Sequence, residues 1–283
     1  MRPLAERTLV ARVSSARTVP SEQPLLRAEV LRTERLSPHW MRVTLRGAEL
    51  SAFSPLGYDQ WFRLFLPVHG PAGLARVPAK AHTLGGYLKF LRIPESARPV
   101  MRSYTVRAFR PDSLELDVDF VLHRDANGQA GPAAEWAEHC QAGEPVLLLD
   151  EGITFAPSRG TKQLLLIADE TGLPAVAGIC RSLPADATGQ VLLEAASPED
   201  WLEFEHPVGI NVTWLARASS EETPGTRVLR ALTETPISPE VHGFIVGEQR
   251  LVSAARRRLV EHGVPKEQID FVGYWKAARH EIK

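Results

Sequence analysis

The chain has 283 residues, 44% hydrophobic and 24% charged, with a formal net charge of -1. That length exceeds an ordinary single domain and predicts two, and the near-neutral balance lacks the basic excess of a nucleic-acid binder. The two cysteines, Cys140 and Cys180, are too few for a disulfide framework or a zinc site and read as core thiols of a cytoplasmic protein.

No apolar run approaches the ~20 residues of a membrane span. Residues 1–22 carry Arg2, Arg7, Arg12 and Arg17 without an apolar leader core, and read as a flexible basic tail. Alternation then predicts strands at Leu25 to Thr33 and Trp40 to Arg46, turned at Ser37-Pro38, and a third at Gln60 to Pro67. Val68 to Pro99, rich in Gly and Pro, reads as an insertion of the kind that forms lids or binding loops. Strand pattern resumes at Met101 to Phe109 and Leu114 to His123. Gly131-Pro132 opens a helix, and a further strand runs from Pro145 to Asp150. Several short strands with turn signals and one helix predict a small antiparallel barrel over 23–158.

After Pro157 to Gly160 the texture changes. Nearly continuous apolar strands at Gln163 to Ala168, Val191 to Ala196, Val212 to Ala216, Gly243 to Val246 and Ile269 to Tyr274 alternate with helical stretches. This is the rhythm of a parallel α/β sheet, expected over 159–283. Its ligand is expected at the carboxyl ends of the strands, at Asp169 to Pro174 and Gly247-Glu248.

The stretch Arg102-Ser103-Tyr104-Thr105-Val106-Arg107 concentrates the chemistry. Period-two alternation puts Arg102 and Tyr104 on one strand face and Thr105 on the other. A cation, a phenol and a hydroxyl so placed suit an anionic aromatic ligand, though a plain edge strand shows the same residue types. Gly131, Pro132, Ala133 and Ala134 start a helix whose free N–H groups and positive dipole end can take a phosphate, or mark no more than a helix start.

Arg-x-Tyr-Thr, then Phe120-Val121-Leu122-His123, then Gly-Pro-Ala-Ala-Glu-Trp at 131–136 together resemble the siderophore-interacting protein family, the ferric-siderophore reductases related to ferredoxin-NADP reductases. Asp-Glu-Thr-Gly-Leu-Pro-Ala at 169–175, Val-Gly-Glu at 246–248 and Gly-Tyr-Trp-Lys at 273–276 extend the likeness to nearly all of the chain after residue 23. The resemblance implies FAD as cofactor, with NAD(P)H or reduced ferredoxin as electron donor and a ferric siderophore as acceptor. It assigns Arg102, Ser103, Tyr104 and Thr105 to the isoalloxazine and phosphates, and Phe120, Val121 and His123 to the continuing cofactor track. Gly131 to Ala134 fall on the pyrophosphate. Asp169, Thr171 and Trp275 fall at the donor side, Trp275 where related reductases place an aromatic over the flavin. Arg63 and Lys276 match basic positions of the chelate pocket, and Lys80, Lys89 and Arg92 are lesser candidates for it. Two other readings stay open: a diaphorase serving another acceptor, and a siderophore carrier without redox chemistry.

Overall fold

A computed structural model describes residues 17–124, 128–158, 160–161, 163–219 and 222–277. The first sheet is built from β1 (Leu25–Ser37), β2 (Trp40–Arg46), β3 (Trp61–Leu66), β4 (Val100–Thr105), β5 (Ala108–Arg110), β6 (Glu115–Val121) and β7 (Pro145–Gly152), all paired antiparallel in the order β4-β3-β7-β1-β2-β6-β5. β4 and β5 lie at opposite edges of that order, yet only Val106 and Arg107 separate them. Three residue steps span at most about 10 Å, so the two edges must meet and the sheet curls into a barrel.

This explains why the single strand expected over Met101 to Phe109 is broken. The Val106 N–H leaves β4 to bond the Gln60 carbonyl, and the Arg107 N–H bonds the Asp117 carbonyl on the other edge. Inward-facing Leu26, Val30, Val43, Leu45, Phe62, Leu64, Leu116, Val118 and Leu148 fill the interior. The helix α2 (Pro132–His139) closes one end through Ala133, Ala134, Trp136 and Ala137.

Two expectations need correction. The insertion is no open loop: it contains the helix α1 (Leu84–Leu91) and packs Leu74, Val77, Ala81, Phe90 and Ile93 on the outer barrel face against Phe65, Leu147 and Leu149. Its apolar residues, masked by Gly and Pro, suffice for a small core of their own. Residues 17–22, placed with the tail, are tied to the barrel from their start. Thr18 bridges Ile153, and Arg17 pairs with Glu151 while lying over the Trp61 ring. The rest of the expected tail, 1–16, is outside the described residues.

The second sheet contains β8 (Gln163–Ala168), β9 (Thr188–Ala195), β10 (Gly209–Ala216), β11 (His242–Glu248) and β12 (Ile269–Trp275), all parallel, in the order β10-β9-β8-β11-β12. Side chains of β8 alternate. Leu164, Leu166 and Ala168 face α3 (Leu173–Ser182) and the barrel's Trp40, whereas Leu165 and Ile167 face α4 (Thr226–Glu234) and α5 (Gln249–Glu261). Between β9 and β10 the connection holds a single 3₁₀ turn, Pro198–Asp200. Strand order reverses between β8 and β11, so the crevice of a doubly wound sheet opens at their carboxyl ends.

Partly buried polar ties join the two halves to each other. Asp200 accepts from Ser37 Oγ at 2.6 Å and from the His39 N–H at 3.1 Å, Tyr58 N–H donates to Ser182 Oγ at 2.8 Å, and Ala156 N–H donates to Asp270 at 2.8 Å.

Candidate functional site

The barrel contributes β4, the end of β6 and the start of α2. Register pairs Tyr104 with Phe62 and Arg102 with Leu64, so Tyr104 and Arg102 share a face and Ser103, opposite Arg63, takes the other. The Tyr104 ring lies 4.3 Å from that of Phe120, which packs at 5.8 Å on Trp136. Phe120 is buried, and its side chain backs the Tyr104 ring. Burial holds the Tyr104 phenol well above its ordinary range, so it stays a neutral hydroxyl. Arg102 is half-buried and donates one bond to the Met101 carbonyl at 2.9 Å.

The helix α2 packs against β4 and β6. Gly131 occupies the N-cap position and offers no side chain to the first-turn N–H groups, and a Cβ built there would meet nothing within 4 Å. Gly131 and Pro132 are exposed while Ala133 and Ala134 face inward. An open, uncapped helix start, on a helix packed against the strand that carries a guanidinium and a supported aromatic ring, fits the phosphates and ring of a dinucleotide flavin.

Across the crevice stands the α/β half. Asp169, at the end of β8, is fully buried. Its carboxylate accepts from the Thr171 N–H at 2.9 Å, the Glu248 N–H at 2.7 Å and Trp275 Nε1 at 3.1 Å. Gly247 makes this approach possible: its φ is 126°, and a Cβ there would lie 2.6 Å from the Asp169 carboxyl carbon. Burial, with neighbouring Glu170, pushes the Asp169 carboxyl up to about 7. Glu170 is itself buried and holds Arg217 through two bonds of 2.6 and 2.8 Å; Arg217 also reaches Glu194 at 3.3 Å. Arg217 therefore completes a buried ion cluster and is committed within the fold.

The halves meet over this turn. His123 Nε2 lies 3.8 Å from Glu170, and the His123 ring 5.8 Å from that of Trp275. Burial lowers the His123 pKa against the opposing pull of Glu170, which keeps the imidazole neutral. Val121 is half-buried and packs into the core of the α/β half. The residue that sequence reasoning passed over is Tyr274. Its hydroxyl shares a hydrogen bond with the Thr105 side chain while 39% of the residue remains exposed. The signal was present as an aromatic pair, Tyr274-Trp275, of which only the second was singled out.

The two basic positions differ. Lys276 is exposed directly after β12. Arg63 is engaged: it pairs with Glu151 at 2.7 Å and lies 5.8 Å from the Tyr87 ring, sharing that carboxylate with Arg17.

Residues 29–154 match the model of the siderophore-interacting FAD-binding domain, and residues 161–278 that of the siderophore-interacting protein. The ferric vibriobactin reductase ViuB of Vibrio cholerae is 28% identical over 89% of this chain and 90% of its own. An NADPH-dependent ferric-chelate reductase of Escherichia coli is 27% identical over 88% of this chain and 91% of its own. Among solved structures, a siderophore utilization protein from T. fusca is 29% identical, with a TM-score of 0.76 over 95% of this chain and 99% of that one. With both halves matched in order, and the same barrel and parallel sheet recurring in solved relatives, the chain belongs to the siderophore-interacting protein family, its first half being that family's FAD-binding domain.

Proposed function

We propose that this protein is an FAD-dependent reductase of ferric siderophores that draws electrons from NAD(P)H and releases ferrous iron in the cytoplasm. The carrying observation is the uncapped start of α2, a helix that packs against the strand bearing Arg102 and Tyr104, together with Tyr274 joined to Thr105 of that strand and Trp275 held by Asp169. A bound flavin supplies the conversion between a two-electron donor and one-electron reduction of a ferric chelate.

In this reading residues 23–158 hold the cofactor and 159–283 the donor. Arg102 and the N–H groups of Gly131, Ala133 and Ala134, with Pro132 fixing the helix start, bind the pyrophosphate, Tyr104 and Thr105 the ring, with Ser103, Phe120, Val121 and His123 flanking or supporting that track. Trp275, held by Asp169 and beside Thr171, covers the donor side and excludes water until nicotinamide displaces it. Lys276 receives anionic chelates at the exposed rim, and Arg63, its charge largely met by Glu151, adds a weaker field.

Anaerobic mixing of the flavin-loaded protein with NADPH or NADH, then with a ferric siderophore, tests the assignment. Bleaching of the flavin absorbance followed by its return with ferrous-iron release is expected. Flavin that bleaches only with reduced ferredoxin overturns the donor assignment. Flavin that reoxidises with quinones but not with ferric chelates makes the protein a diaphorase, and a protein that binds the chelate without holding flavin makes it a carrier.

A further inference from the structure

The 68–99 segment has an unusual surface. Val68, Leu84, Leu88 and Leu91 are half of the large hydrophobic residues exposed among the described residues, yet this segment is about a ninth of the chain. On α1 the buried residues are Gly86 and Phe90, which face the barrel. Leu84, Leu88 and Leu91, spaced four and three apart, form a stripe on the opposite side, where a surface helix ordinarily presents polar groups. Leu84 is 75% exposed at the first position of the helix.

Around the stripe the charge is one-sided. The segment holds Arg76, Lys80, Lys89, Arg92 and Arg98 against Glu95 as its single carboxylate, in a chain whose overall charge is -1. Arg76, Lys80, Lys89 and Arg92 are exposed. Apolar side chains exposed on a helix, in a segment whose exposed charges are mainly cationic, suit the interface of an anionic bilayer, where the leucines enter the acyl boundary and the cations meet headgroup phosphates.

We infer that the α1 lobe docks the protein on anionic phospholipid membrane through Leu84, Leu88 and Leu91, with Lys80, Lys89 and Arg92 at the headgroups. A second copy of this chain is disfavoured. A two-fold contact would set this cationic surface against itself, and one eight-residue helix is far short of the ~800 Å² per partner of a stable interface. A protein partner would need a groove to receive the leucine stripe, and would not need the cationic excess. Docking of this kind is independent of which chelate is reduced.

Co-sedimentation of the full-length, flavin-loaded protein with vesicles of phosphatidylcholine alone, or with added phosphatidylglycerol, tests the inference. At low salt the parent is expected to bind the phosphatidylglycerol vesicles at least about tenfold more tightly than neutral ones. Both L84S/L88S and K80E/K89E/R92E should lose that binding with flavin content unchanged, and L84S/L88S should also leave reduction of a soluble chelate unchanged. Absence of parental binding, equal binding to both vesicle types, or full binding by L84S/L88S overturns the inference. Self-association of the parent that L84S/L88S abolishes, with no vesicle binding, would assign the stripe to a second copy instead.

Discussion

Two helix starts, one in each half of the molecule, are finished in opposite ways. At α2, Gly131 leaves the first-turn N–H groups open. At the turn after β8, Asp169 takes the Thr171 and Glu248 N–H groups, and Arg217 neutralises Glu170. The same backbone chemistry is thus available to an outside anion on the barrel and consumed by the chain's own carboxylates on the α/β sheet. A phosphate at the second turn would have to displace a buried carboxylate, so a dinucleotide donor has to bind chiefly through other contacts.

If the acidic turn is structural, the largest effect should come from removing its counter-ion. Arg217→Ala leaves Glu170 and Glu194 buried without a cation, and a loss of about 3–5 kcal/mol in unfolding free energy is expected by denaturant titration. A loss below about 1 kcal/mol would show the cluster to be solvated and the turn open after all. On the barrel side, Arg102→Ala should weaken FAD by about ten- to a hundredfold, the ~1.5–3 kcal/mol of a charged hydrogen bond, measured by equilibrium dialysis. Unchanged flavin occupancy would remove Arg102 from the phosphate site.

Proton linkage sharpens the contrast. Burial raises the Asp169 carboxyl to about 7, above its unfolded value, so the folded state holds a proton that the unfolded chain releases between about pH 4 and 7. Asp169 therefore erodes stability as pH rises through that window and adds no further slope above it. Asp59, raised by burial to about 6, acts in the same direction up to that pH. Asp169→Asn should flatten the fall in Tm between about pH 4 and 7, and Trp275 fluorescence should titrate near neutrality in the parent only. A parent whose Tm rises steadily over that window would contradict the sign. The smallest effect is expected at the rim, where Lys276→Ala should weaken an anionic ferric chelate by no more than about fivefold, as for an exposed ion pair, and a neutral one not at all.

Much of the architecture was legible because it is written in local periodicity. The alternating strands of the barrel and the continuous apolar strands of the parallel sheet carry their own burial pattern. What was not legible depends on distant partners. The break at Val106-Arg107 follows from closure of the barrel edges, which no local pattern reports. Arg217 is committed by carboxylates 23 and 47 residues away. Tyr274 gains its place from a hydroxyl on the other half of the molecule. Of the site itself, the residue types of the Arg102 strand and the Gly131 start were readable, and their convergence with Tyr274 and Trp275 was not.

The open α2 start makes one claim that can be measured directly, namely that it receives the second phosphate of the flavin. Equilibrium dialysis should compare FAD and FMN on the parent and on Gly131→Asp, which places a capping carboxylate in the open space at that position. The parent should hold FAD at least about tenfold more tightly than FMN, and Gly131→Asp should erase most of that preference while leaving FMN nearly unchanged. Equal affinity of the parent for FAD and FMN, or a preference that survives Gly131→Asp intact, would contradict it.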